Sequence, residues 1–304
     1  MARQLTGSMG VEIDDAATGR LLVPLEGTCA WDQSLEDDSL RDATPGCAPF
    51  PTTPFALWAD DLRFSPDGSV LVGLDSTGYV VVWDAVTGRL LRTIESQGFS
   101  AGVLFTPDGR EMIMGTDRNE LLTYSTTTWK LTHGRSLDAS VDTLLTPIRF
   151  VDEGRVLLAV GGMASDLSSG WIYRLDGSTF EVLGSRLVHT ARLKAATVSP
   201  DGTQIATAAA DGIVRVWDAG TFDLQHELRV AGQAQGVAFV DDTHLAVMPE
   251  AGDLLLMILD RDELAAKVRS TLTRGFTEAE CEQFGFGGAC PTLDELRSGR
   301  LTAP

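Results

Sequence analysis

Four histidines, His133, His189, His226 and His244, are the acid–base candidates of the chain near neutral pH, and they are scattered along it. None forms an H-E-x-x-H or H-x-H pair, so spacing assembles no metal-bound nucleophile. Gly98-Phe99-Ser100-Ala101-Gly102 spells G-x-S-x-G, but a nucleophile elbow needs a strand before the serine and a helix after it. Residues 103–105 read as a strand instead, and Ser100 is a chance match. Asp and Glu total 43 against 24 Lys and Arg. Most of these acids stand at turn positions, where a carboxylate caps or shapes backbone, so no glycosidase-like acid pair stands out. Cys29, Cys47, Cys281 and Cys290 match no metal-knuckle spacing. Reduced thiols in a cytoplasmic compartment are expected of them, with no catalytic residue, metal or cofactor assigned.

Charge narrows the partners. A net charge of -19 disfavours nucleic acid and anionic membrane, both of which need basic surface, and leaves a neutral or basic protein partner. No apolar run reaches the length of about 18 residues that spans a bilayer. The opening MARQLTGSMG also lacks the apolar centre of a signal peptide. Apolar residues make up 43% of 304, enough for a large core, and closed all-β architectures reach this length as one domain.

The elements that must position any site repeat. Residues 196–228 read as four strands: Thr197-Val198, then 204–208, then Val214, Val216 and Trp217 flanking Arg215, then a strand around Leu224 and Leu228. The turns between them, Ser199-Pro200-Asp201-Gly202, Asp211-Gly212 and Asp218-Ala219-Gly220-Thr221, are short and rich in Gly and Asp. Phe64 and Phe105, Trp83 and Tyr124, and Val198 and Phe239 each stand 41 residues apart. Residues 11–22 align without gaps to 80–91. Five copies begin near Leu62, Gly102, Pro147, Ala195 and Gly236, after an opening copy that lacks its first strand. Trp217 is expected to be buried between neighbouring sheets, near Val214 and Ile205.

The period, the Ser-Pro-Asp-Gly turns and the pairs Trp83-Asp84 and Trp217-Asp218 resemble the WD-repeat β-propeller family over about residues 5–260. That resemblance implies an all-β propeller of about six blades, the first incomplete, with structural roles for Trp83, Asp84, Trp217 and Asp218. It also implies a hydrogen-bonded tetrad in each blade. Here the family's Gly-His dipeptide is missing, and only Asp75, Asp117 and Asp211 match its turn aspartate, so no blade is expected to hold a complete tetrad. Trp31-Asp32 lies off phase.

Beyond residue 260 the pattern becomes helical. Residues 260–272 set Leu264, Val268 and Leu272 on one face, with Gly275 placed as a C-terminal cap. Thr277 with Glu280, and Thr292 with Glu295, have capping-box spacing for two further helices. The expected organisation is a propeller over 1–260 and a helical tail over 261–304. The tail segment 272–291 is similar to those closing the WD repeats of multidomain actinobacterial regulators of STAND or transcriptional-activator type. No P-loop glycine-lysine pair accompanies it, so no nucleotide chemistry transfers.

In such a meander the connections alternate between two ends. At one end all are short; at the other lie the long connections 28–61, 136–146, 161–170 and 187–194, and clustered insertions mark a binding face. The 28–61 connection joins acids, including Asp37 and Asp38, to Trp31, Phe50, Phe55 and Trp58, the composition of a protein-binding patch. Phe55 and Trp58 also suit a plug over the first blade. Asp166 and Leu167 are further partner-binding candidates. A non-catalytic interaction scaffold or sensor, the C-terminal part of a larger bacterial regulator, is the first reading. Its incomplete opening blade is expected either to self-associate or to be completed by further N-terminal sequence. A small-molecule-binding or lactonase-like propeller is the alternative.

Overall fold

Among the described residues the strands run from three to nine residues, and several end at turns whose side chains fix them. The computed structural model describes residues 2–4, 11–14, 18, 20–25, 62–74, 79–95, 100–116, 118–137, 143–163, 169–283 and 290–298. The first sheet holds β1 (Ala2–Gln4), β2 (Val11–Asp14) and β3 (Leu21–Pro24). Then follow four-stranded meanders: β4 (Leu62–Phe64), β5 (Val70–Leu74), β6 (Tyr79–Asp84) and β7 (Leu90–Glu95); β8 (Ser100–Phe105), β9 (Glu111–Thr116), β10 (Glu120–Ser125) and β11 (Leu131–Ser136). The third is β12 (Thr143–Val151), β13 (Val156–Met163), β14 (Gly170–Asp176) and β15 (Val182–His189), and the fourth β16 (Leu193–Val198), β17 (Gln204–Ala209), β18 (Ile213–Asp218) and β19 (Leu224–Arg229). A last sheet has β20 (Ala234–Phe239), β21 (His244–Pro249) and β22 (Leu255–Ile258). All pairings are antiparallel between consecutive strands.

Two turn devices recur. In the first, Ser65, Thr106 and Ser199 hydroxyls donate to Asp67, Asp108 and Asp201 at 2.6, 2.7 and 2.6 Å. Gly68, Gly109 and Gly202 then take φ of 72°, 69° and 77°, which a side chain would oppose. In the second, the aspartate ending a third strand accepts two amides ahead of it: Asp84 from Val86 and Thr87, Asp176 from Ser178 and Thr179, Asp218 from Gly220 and Thr221, all within 3.0 Å. These bonds favour the ionised form, and Asp67 sits at about 2. The next turn position is left-handed: Gly88, Trp129, Phe180 and Phe222 have φ of 73°, 53°, 56° and 62°. Phe180 and Phe222 are buried there. Packing of a whole ring offsets a backbone cost of roughly 1–2 kcal/mol.

The core is a series of interfaces. Along each middle strand alternate residues face different neighbours, so Leu71, Val81 and Trp83 pack towards Ile13 of the first sheet. Their alternates Val72, Val80 and Val82 pack on Met112 and Met114 of β9. Ile113 and Leu121 continue to Leu157 and Tyr173, Leu158 and Ile172 to Ile205 and Trp217, and Ala206 and Val216 to Leu245 and Val247. Burial on both faces explains the near-continuous apolar runs of these strands. Arg215 does not make β18 half-exposed, as its alternation had suggested. Trp217 is buried against Ile205 as expected, but Val214 lies on the opposite face. The approach of β9 to β12 requires Gly115, whose Cβ would stand 1.8 Å from the Leu145 carbonyl oxygen.

The tail holds α1 (Arg261–Thr271), α2 (Glu278–Gln283) and α3 (Leu293–Ser298). Asp260 caps α1 by accepting from the Glu263 amide at 2.7 Å. Both capping boxes form: Thr277 and Glu280, and Thr292 and Glu295, exchange backbone and side-chain bonds. Gly275 does not cap α1. The helix stops at extended Leu272, whose carbonyl accepts from the Arg297 guanidinium of α3 at 2.7 Å. Cys281 and Cys290 are not reduced thiols as expected; they form a disulfide, with Cα atoms 5.7 Å apart. No helix among the described residues is long and apolar enough to cross a membrane.

Candidate interaction surface

The sheet of β16–β19 shows how the frame uses polar side chains. Indole N–H is a donor only, so Trp217 Nε1 donates to Thr207 Oγ1 at 3.0 Å. The threonine proton is then directed to His189 Nε2 at 2.9 Å, and Nδ1–H to Asp211 Oδ2 at 3.2 Å. Asp211 Oδ1 accepts from the Ile213 amide at 2.9 Å, which ties the relay to the β17–β18 turn. Burial pushes the His189 imidazole below its ordinary value, against the pull of Asp211, while nearby Arg215 pushes it further down. The ring is therefore neutral, and its contact with Asp211 is a hydrogen bond rather than an ion pair.

A complete tetrad therefore exists in this sheet, contrary to the expectation that none would be complete. The histidine needs to be delivered just ahead of β16, and β15 does this by ending at His189; the preceding residue is Val188, not glycine. The signal available in the sequence was His189 itself, together with Thr207, Asp211 and Trp217 of one repeat. In the β4–β7 sheet Gly73 takes the place of the threonine, and a Cβ there would meet the Trp83 ring at 3.0 Å. Trp83 fills that space and is fully buried.

Arginines, not singled out in the sequence, tie one sheet to the next. Arg135 donates to Thr179 O at 2.9 Å, and Arg149 to Ser199 O and Pro200 O at 3.0 and 2.9 Å. Arg186 donates to Phe222 O at 2.7 Å while its guanidinium lies 5.4 Å from the Trp217 ring centroid. Arg174 donates to Gly220 O. Each arginine thus satisfies turn carbonyls of the following sheet, joining β8–β11 to β12–β15 and β12–β15 to β16–β19.

Trp31, Asp37, Asp38, Phe50, Phe55 and Trp58, with Asp166, Leu167 and Asp75, lie outside the described residues. The connection carrying the first six leaves after Leu25, which is buried, and returns at Leu62. Ser100 opens β8 and is followed by strand, so the elbow geometry that G-x-S-x-G requires does not form. Among the described residues no group of three or more His, Cys, Asp or Glu is arranged to hold a metal. A groove between short turns is lined by Thr106, Asp108, Glu111 and Glu153. Asp108 in it is already held by Thr106 and the Arg110 amide.

Residues 181–218, which contain the tetrad, match the model of the WD domain, G-beta repeat. Over 160 residues the chain is 26% identical to THO complex subunit 3 of Arabidopsis thaliana, a match covering 52% of this chain and 48% of that protein. Both findings support a WD-repeat family. The chain spans about half the length of the curated relative it matches.

Proposed function

We propose that the chain is a non-catalytic propeller scaffold that binds a neutral or basic protein through its long-connection end. The observation that carries this reading is how the described polar groups are used. The turn aspartates accept backbone amides, His189 is enclosed in the tetrad, and the arginines bind carbonyls of the next sheet. With the polar groups of the short turns engaged in this way, recognition is assigned in this reading to the long connections, of which 28–61 is the longest and most aromatic in sequence. The resemblance of 272–291 to closing segments of actinobacterial regulators supports a regulatory protein as the setting. Self-association through an incomplete terminal sheet belongs to the same reading.

Replacing 28–61 with a short Gly-Ser linker tests it. Capture of the partner should be lost while the far-ultraviolet spectrum is unchanged. Retained capture would move the site to 161–170 or off this face.

A further inference from the structure

The C-terminal helices have no core of their own. Among the described residues past Leu259, Cys281 alone is buried, and none joins the hydrophobic clusters between the sheets. Neither α1 nor α3 buries a residue. Polar contacts hold them instead. His244 Nε2 meets Glu263 of α1 at 3.1 Å, Arg274 reaches both carboxylate oxygens of Glu280 in α2 at 2.7 and 2.8 Å, and Arg297 of α3 reaches the Leu272 carbonyl at 2.7 Å. Such exposed contacts contribute little each. A unit without a core depends on a covalent tie, and here the tie is the Cys281–Cys290 disulfide, which joins α2 to the residue two positions before the Thr292 box of α3.

The bond is placed to be opened. Cys290 is partly exposed while Cys281 is buried, so an attacking thiolate is directed to Cys290 Sγ. The S–S bond breaks there, and Cys281 leaves as a thiolate that takes a proton from water. The second thiol of a dithiol reductant then displaces Cys290, and the reductant departs as its own disulfide. Two electrons have passed from the dithiol, and two thiols remain on the chain. Carbonyl oxygens of Phe276 and Thr277 stand 3.7 and 4.0 Å from Cys290 Sγ, so the thiol formed there has acceptors at hand. With no core to press them together, two thiols at a sequence separation of 9 have an effective concentration in the millimolar range, and closure competes with thiol reductants on even terms. We propose that Cys281–Cys290 is a reversible modification site, opened by a dithiol reductant and closed by a disulfide oxidant, that sets whether α3 is held at the end of α1. This goes beyond the scaffold reading and does not depend on it.

Equilibrating the native chain in glutathione buffers and with dithiothreitol tests this, with thiols blocked by iodoacetamide and residues 281 and 290 read by peptide mass spectrometry apart from Cys29 and Cys47. Roughly half or more of the 281–290 bonds should open in millimolar reduced glutathione, and oxidised glutathione should close them again. Amide exchange in 293–298 should speed about 10-fold or more on opening, with the sheets unchanged. Cys290→Ser should show the fast exchange at once and not respond to reductant. A bond that stays closed in glutathione until the sheets unfold overturns the proposal. So does an opened bond, or Cys290→Ser, with exchange in α3 as slow as in the oxidised chain.

Discussion

Thr207→Val is the sharpest perturbation of the frame. Valine keeps the shape of threonine in a fully buried position, so a purely packing role would make the change neutral or slightly stabilising. The hydroxyl, however, stands between Trp217 Nε1 at 3.0 Å and His189 Nε2 at 2.9 Å. Its removal leaves a buried donor and a buried acceptor without their partner, each costing about 1–3 kcal/mol. We expect a loss of about 2–4 kcal/mol, seen in urea unfolding and as faster amide exchange in β16–β19. Thr207→Val combined with His189→Phe should cost less than the sum of the two, with a coupling of about 0.5–3 kcal/mol, because the second change removes an acceptor the first has already orphaned. A loss below about 0.5 kcal/mol, or full additivity, would refute the reasoning.

Three further outcomes are expected. Phe222→Ala should destabilise by about 3–5 kcal/mol, the usual aromatic cavity cost, because Ala keeps the Cβ and with it the left-handed strain; an unchanged urea midpoint would show that the ring is not a plug. His189, lowered by burial, gives stability that is complete above its unfolded value near 6.5 and is lost as pH falls from there towards its folded value. His244, raised chiefly by Asp241, gives stability present below 6.5 and lost as pH rises through its folded value. His189→Phe should flatten the acid slope and His244→Gln the alkaline one, and a profile unchanged in either would contradict the assignment. Cys281→Ser should speed amide exchange in α2 and α3 while the sheets keep their protection; a fall in sheet protection would show that the tail supports the frame.

The repeating frame was legible because turn chemistry and strand pattern are local. Ser-Pro-Asp-Gly, Trp-Asp and the 41-residue step located the strand order from β4 to β22. The helix boxes at Thr277 and Thr292 were legible for the same reason. The tetrad was not, since His189 belongs in sequence to β15 and in space to the following sheet. Contacts across sheets have no signature within one repeat. The arginine bonds to turn carbonyls are of the same kind; the pairing of Cys281 with Cys290 and the Arg297 contact at the end of α1 are tertiary contacts within the tail, equally without a local signature.

Amide exchange of the chain with and without its captured partner tests the central claim most directly. The account expects new protection at 28–61 and 161–170, with the turns at 66–69, 85–88, 177–180 and 219–222 unchanged. New protection concentrated at those short turns, with the long connections unaffected, would contradict it.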